Sequence, residues 1–316
     1  PRPRSCANGP AGRVLLRREL TSVLTLTFLG VGSAFAKRNF QSNALIEAWS
    51  TGPSTQPQPD DTLLIDFGGT GPLALHSLKG KPGFAYLDRR GLIYYPAIRR
   101  LFITHLHSDH IGGLEELATM NRYQYADPVT GRGFIPQIIG ASEVIDNLWE
   151  HSLRGGLSAH RGGVAELQDY FDVVAIRPSH RGGPDRFTML DQYEFTLFPT
   201  DHIQIHRKYD WPSFGLSIRD AHGGGSVFYS GDTRFDPDGL GPLLTAAKTV
   251  FHDVLLEDHP QPVHALISEL RTLPPEIRKK TILYHYADNW DSEAFAFVAA
   301  EFSGFAEPHV RYVLLD

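Results

Sequence analysis

Thr104-His105-Leu106-His107-Ser108-Asp109-His110-Ile111-Gly112-Gly113 is the stretch that decides how this chain is read. Three histidines and one aspartate fall within six residues, directly after a strand-like run, Arg99–Thr104. Nitrogen and oxygen donors packed this closely suit a metal of the zinc type. A solvated polar loop is the plain alternative, and H-x-H-x-D-H is too specific a spacing to favour it. Gly112-Gly113 lets the backbone turn closely into a helix at Leu114–Met120. Four residues on one loop do not complete a site, so further ligands must arrive from far along the chain.

Three polar residues stand just after later strands. His202 follows Phe195–Phe198, Asp232 follows Val227–Ser230, and His285 follows Thr281–Tyr284. Each has a bland alternative. His202 competes with His206 and is preferred because it lies nearer the strand end. Asp232 could cap a turn, and His285, between Tyr284 and Tyr286, could be a satisfied core histidine. Taken together they complete two coordination spheres with nothing left over.

The rest of the chain frames this cluster. It has 316 residues, 41% hydrophobic and 21% charged, which excludes disorder and fibrous folds for its bulk. With 30 Lys+Arg against 36 Asp+Glu the formal charge is −6, unlike a dedicated polyanion binder. The one cysteine, Cys6, excludes an intrachain disulfide framework or a cysteine-rich zinc module. Residues 1–20, with Arg2, Arg4, Arg13, Arg17 and Arg18, read as a basic, loosely ordered leader. Residues 12–36 have the charged, apolar, A-x-A order of a signal peptide. Alternation of apolar residues with Thr25 and Thr27 instead favours a strand at Val23–Leu29, and with it a cytoplasmic location. No run approaches the ~18 apolar residues of a membrane span.

Strand-like runs recur at Asn43–Ile46, Thr62–Asp66, Val173–Ile176 and Phe214–Ile218. Helices are expected at Ser142–His151, Pro242–Lys248, Pro262–Leu270 and Ser292–Phe302. Strands in two groups with helices outside predict a layered α/β sandwich over residues 21–316. The irregular stretch 121–165 is too long for a simple connection and is expected to form a lid.

These residues together resemble the metallo-β-lactamase superfamily, most of all its branch with ribonuclease Z and class II cyclic-nucleotide phosphodiesterases. The likeness runs from about Leu26 to Tyr286 and begins with Phe28-Leu29-Gly30-Val31-Gly32-Ser33. It implies a four-layer αββα sandwich with two zinc ions at one edge. His105, His107 and His202 would hold one ion, and Asp109, His110 and His285 the other, with Asp232 bridging. Asp109 would thereby count as a catalytic residue as well as a ligand. His252-Asp253 and His264 resemble the ribonuclease Z pair in which an acidic residue orients a histidine that protonates the leaving group. Asp253 stands where that family has glutamate, so its reach is one methylene shorter.

Departures narrow the reading. No Gly-Pro-rich arm for tRNA is present. In residues 150–187 Arg154, Arg161, Arg177, Arg181 and Arg186 are balanced by Glu150, Glu166, Asp169, Asp172 and Asp185, which is poor footing for long nucleic acid. Cys6 lies too far upstream to be the cysteine ligand of many β-lactamases. His107 stands where flavodiiron proteins have glutamate. The expectation is a zinc-dependent phosphodiesterase using a metal-bridging hydroxide on a small or cyclic nucleotide, and the resemblance implies a homodimer. A lactone, thioester or lactam hydrolase and a non-catalytic nucleotide-binding module are the alternatives.

Overall fold

The computed structural model of the protein describes residues 22–160, 162–177, 185–205 and 209–316. The basic leader of residues 1–20, His206, Arg161 and Arg181 lie outside the described residues. Eighteen strands are described: β1 (Val23–Gly30), β2 (Asn43–Trp49), β3 (Asp61–Ile65), β4 (Asp88–Arg89), β5 (Leu92–Ile93), β6 (Arg100–Ile103), β7 (Gln137–Ala141), β8 (Ala159–His160), β9 (Gly163–Val164), β10 (Asp172–Ile176), β11 (Arg186–Met189), β12 (Tyr193–Ile205), β13 (Tyr209–Asp220), β14 (Ser226–Tyr229), β15 (Ala247–Asp253), β16 (Thr281–Tyr284), β17 (Gly304–Phe305) and β18 (Arg311–Leu315). They build two seven-stranded sheets, ordered β10-β7-β6-β3-β2-β1-β18 and β11-β12-β13-β14-β15-β16-β17, beside two small hairpins.

The alternation read in β1 explains why the sheets stack. Leu24, Leu26 and Phe28 point one way, Thr25 and Thr27 the other, and all are buried. Phe28 reaches the second sheet, its ring centroid 5.4 Å from Tyr284 and 5.6 Å from Phe251. The threonine face is also covered. Thr25 Oγ1 donates to Glu47 Oε2 at 3.2 Å, and Glu47 is fully buried beneath Arg311, whose Nε donates to the same oxygen at 2.8 Å. A strand buried on both faces in this way is a core element, in keeping with the strand reading of residues 23–29.

Helices cover the outer faces: α1 (Gly71–His76), α2 (Ser108–Ile111), α3 (Leu114–Thr119), α4 (Ser142–Leu148), α5 (Arg154–Leu157), α6 (Pro237–Ala246), α7 (Ile267–Leu270), α8 (Pro275–Arg278) and α9 (Val298–Glu301). The result is the expected αββα sandwich. None of the described helices is long and apolar enough to cross a membrane.

Strand direction positions the site. β3, β6, β7 and β10 run parallel, as do β14, β15 and β16. Their carboxyl ends are where loops can gather ligands. Asp66 leaves β3, Thr104–His110 leaves β6, Asp232 follows β14, Asp253 ends β15 and His285 follows β16.

Several expectations are corrected. Residues 121–165 are not one irregular insertion: they carry the core strand β7, and the part from Ser142 onward leaves β7 at the same end of the sheet as the metal loop. Ile138 and Ile139 of β7 are fully buried between β6 and β10. Residues before β7 enter at the end of the sheet away from the metal loop, because Gln137 pairs with Arg100 at the start of β6. The helix expected at Pro242–Lys248 is displaced to Pro237–Ala246. Asp236 caps it, accepting from Gly239 N at 2.8 Å, and Ala247 already begins β15. The helix expected at Pro262–Leu270 starts only at Ile267, so His264 lies in a bend before it. Ser292–Phe302 splits into a short 3₁₀ turn, Glu293–Phe295, and α9. β18, which pairs antiparallel with β1, was not anticipated.

Candidate metal centre

Three imidazoles meet nitrogen to nitrogen. His105 Nε2 lies 2.9 Å from His107 Nδ1, and His202 Nε2 lies 3.2 Å from the same atom. The other ring nitrogen of each flanking histidine is committed. His202 Nδ1 donates to the Val263 carbonyl at 2.7 Å. His105 Nδ1 donates to Thr104 Oγ1 at 2.9 Å, the hydroxyl itself donating to Asp66 Oδ2 at 2.8 Å. Fixing those tautomers leaves lone pairs on both Nε2 atoms, aimed into one space. Burial pushes His105 and His107 down and takes His202 down to about 4. All three are neutral donors near pH 7.

A second group faces the first across Asp232. Asp232 Oδ2 lies 3.2 Å from His110 Nε2, 3.5 Å from His285 Nε2, 3.7 Å from His105 Nε2 and 3.9 Å from His202 Nε2. Asp109 Oδ2 is 3.3 Å from both His110 Nε2 and His285 Nε2. The ligand atoms of His105, His107, His202 and Asp232 all lie within 4.8 Å of one another, as do those of Asp109, His110, Asp232 and His285. One carboxylate thus belongs to both groups.

The site fits a cation. His110 Nε2 and Asp232 Oδ1 are buried without a hydrogen-bond partner, a costly arrangement unless something occupies the space between. Burial opposes ionisation of Asp109, but His110 and His285 hold its carboxyl far below the usual range. Asp232 is likewise held low against burial, by His285, His110 and His264. Burial would lower His110, yet Asp232, Asp66 and Asp109 outweigh it and raise this imidazole well above its ordinary value. A metal ion would take over that positive charge and leave His110 a neutral ligand.

Asp66 was not singled out in the sequence. Its Oδ2 accepts from His110 Nδ1 at 2.7 Å, and its Oδ1 accepts from Thr104 N at 2.9 Å. One carboxylate therefore orients ligands of both groups. The available signal was a lone aspartate closing a strand before Phe67-Gly68-Gly69. Asp66 (φ 59°) and His285 (φ 62°) both sit in the left-handed region, which non-glycine residues enter uncommonly, aspartate and histidine more readily than most. Trp211 was missed as well; its ring lies 5.5 Å from that of His107.

Every ligand expected from the sequence reaches this edge. His202 does so from inside β12, where pairing with β13 is irregular between Thr200 and Ile203, and not from beyond a strand end. Asp253 and His264 also meet, with His264 Nδ1 2.9 Å from Asp253 Oδ2 and 3.8 Å from Asp232 Oδ2. Thr233 N donates to Asp253 Oδ2 at 3.1 Å, and Asp253 N donates to Ser230 Oγ at 2.9 Å. The missing methylene relative to glutamate does not prevent the pairing.

With this geometry in place, a family model described as Anti-Pycsar protein Apyc1 matches residues 24–312. The chain belongs to that family. It is 35% identical over 271 residues to Anti-Pycsar protein Apyc1 of Paenibacillus sp. (strain J14), covering 85% of this chain and 91% of the relative. Among solved structures, the metallo-β-lactamase fold protein YhfI from Bacillus subtilis superposes with a TM-score of 0.63 at 16% identity, covering 92% of this chain and 99% of YhfI. Yeast PDE1 superposes equally well, TM-score 0.63 at 15% identity, over 93% of this chain and all (100%) of that one. These likenesses confirm the metallo-β-lactamase fold. Site and family together make this member of the Apyc1 family a phosphodiesterase-like, metal-dependent hydrolase.

Proposed function

We propose that the protein hydrolyses a phosphodiester bond in a small, cyclic nucleotide, with zinc as its metal. His105, His107 and His202 would hold one ion, Asp109, His110 and His285 the other, and Asp232 both. The observation that carries this reading is the single Asp232 carboxylate oxygen shared between two complete donor groups. Nitrogen and oxygen donors without thiolate suit zinc. Bound there, the two ions supply Lewis-acid chemistry, activating water and neutralising charge on phosphoryl oxygens.

The chain's own residues supply the proton. Asp253 fixes the orientation of His264 through Nδ1, and Asp253 is itself fixed by Thr233 and Ser230. Burial opposes protonation of His264, but the carboxylates of Asp232 and Asp253 prevail and raise its pKa. A histidine kept protonated at the rim of the site can deliver that proton to a departing ribose oxygen. His264→Ala should reduce turnover of natural nucleotides by roughly 10²–10⁴-fold. The same variant should retain most activity on a nitrophenyl phosphodiester, whose leaving group needs no proton. Equal losses on both substrates would remove His264 from the acid role. A panel of 3′,5′-cyclic nucleotides, linear dinucleotides and lactones, run with a chelator control, tests the substrate class. Lactone turnover without phosphodiester turnover would overturn it.

A further inference from the structure

At the amino ends of β6 and β7, opposite the metal loop, the surface opens into a cavity of about 550 Å³. Arg89, Arg90 and Arg132 line it together with Tyr94, Tyr125 and Phe134. None of the residues lining this cavity belongs to the metal centre, whose loop leaves the opposite end of β6, so a ligand here is distinct from the one being hydrolysed. We propose that this cavity is a second binding site, for a nucleoside monophosphate.

Charge is the first support. No carboxylate among the described residues forms an ion pair with Arg89, Arg90 or Arg132. Asp127 is the one acidic residue lining the cavity; its Oδ1 is turned to its own loop, accepting from Val129 N at 2.9 Å and Thr130 N at 2.7 Å, and its single charge leaves the three arginines in excess. Three guanidiniums without a carboxylate partner among the described residues are donors for a phosphate, which arginine engages in bidentate fashion.

Aromatic geometry is the second. Tyr94 and Tyr125 meet edge to face with ring centroids 5.3 Å apart, and the Arg89 guanidinium sits 5.1 Å from the Tyr94 centroid. An arginine anchored on a ring keeps its N–H edge free for an anion while neighbouring aromatic surface accepts a planar base. An acidic side chain or inorganic anion would use the arginines and leave the rings idle.

Backbone strain at one of the arginines is the third. Arg90 and Gly91 are the two central residues of the β4–β5 hairpin, with φ of 56° and 83°. Such turns favour asparagine or glycine at both positions. An arginine held there costs some stability relative to asparagine or glycine, and the turn presents its side chain at the cavity. The turn is held in place by Gly91 N donating to Asp88 Oδ1 at 2.9 Å and by Lys79 Nζ donating to the Gly91 carbonyl at 2.6 Å.

The test is a calorimetric titration of the metal-loaded protein with adenosine and uridine 5′-monophosphates, beside inorganic phosphate and free nucleoside. Wild-type protein should show a binding event that Arg89→Gln/Arg132→Gln weakens by more than about tenfold, the loss of charge-assisted bonds. Hydrolysis of the phosphodiester substrate should be unchanged in that variant. Tyr94→Ala should weaken the nucleotide and leave inorganic phosphate alone. Arg90→Asn should weaken binding while raising the melting temperature. Nucleotide affinity that is the same in the double variant, or no tighter than that of inorganic phosphate, would overturn the proposal.

Discussion

The two sheets contribute to the metal centre in different ways. The first delivers His105, His107, Asp109 and His110 on one loop after β6, steadied by Asp66 from the neighbouring strand. The second delivers His202, Asp232 and His285 singly, from an irregularity in β12 and from the ends of β14 and β16. The loop's geometry is fixed locally, by backbone and by one carboxylate. The other half exists only once three strands far apart in sequence have paired and the sheets have closed on each other. Half the site is therefore a property of a loop, and half a property of the whole sandwich.

The largest expected effect comes from the residue where the halves join. Asp232→Asn should lower turnover by more than about 10³-fold, because a neutral amide with one weak donor oxygen is a poor ligand to share between two cations. Near-normal turnover would show that the halves work separately and would dissolve the comparison. Next is Phe28, whose ring packs on Tyr229, Tyr284 and Phe251 between the sheets. Phe28→Ala should cost about 3–5 kcal/mol in chemical denaturation. Partial loss of metal from that variant, read by elemental analysis, would show that the second sheet's ligands depend on closure; full retention would argue that the loop organises them. The smallest effect is expected at Asp66. Asp66→Asn keeps the size of the side chain and an acceptor for Thr104 N. It should weaken metal affinity by about 10–100-fold, the usual cost of losing a carboxylate that orients a ligand, and shift the melting profile of the metal-free protein far less than Phe28→Ala does. Global destabilisation of that profile would make Asp66 a structural residue of the first sheet.

The same division governs what could be read from the residues alone. The loop was legible because its ligands are crowded into six positions after a strand. Asp232 and His285 were legible as strand ends, and the resemblance supplied their roles. His202 reaches the cluster, but the reason for preferring it does not hold, since β12 continues past it to Ile205, and His206 lies outside the described residues. Asp66 escaped notice because one aspartate in a strand-to-glycine turn carries no pattern; its partners, Thr104 and His110, are set by β3 pairing with β6. Strand β7, inside the stretch read as irregular, escaped for a similar reason. Ile138-Ile139 is a short apolar run amid arginines and glycines, too brief to announce a strand at the heart of a sheet. His264 was paired correctly with Asp253, though it lies in a bend and not at a helix start.

The central claim is that one carboxylate holds two metal ions together, and metal stoichiometry tests it most directly. Elemental analysis of the purified protein should give about two zinc per chain, with Asp232→Asn retaining less than half of that and chelator treatment abolishing turnover until zinc is restored. Full turnover by a metal-free protein, or an unchanged metal content in Asp232→Asn, would contradict it.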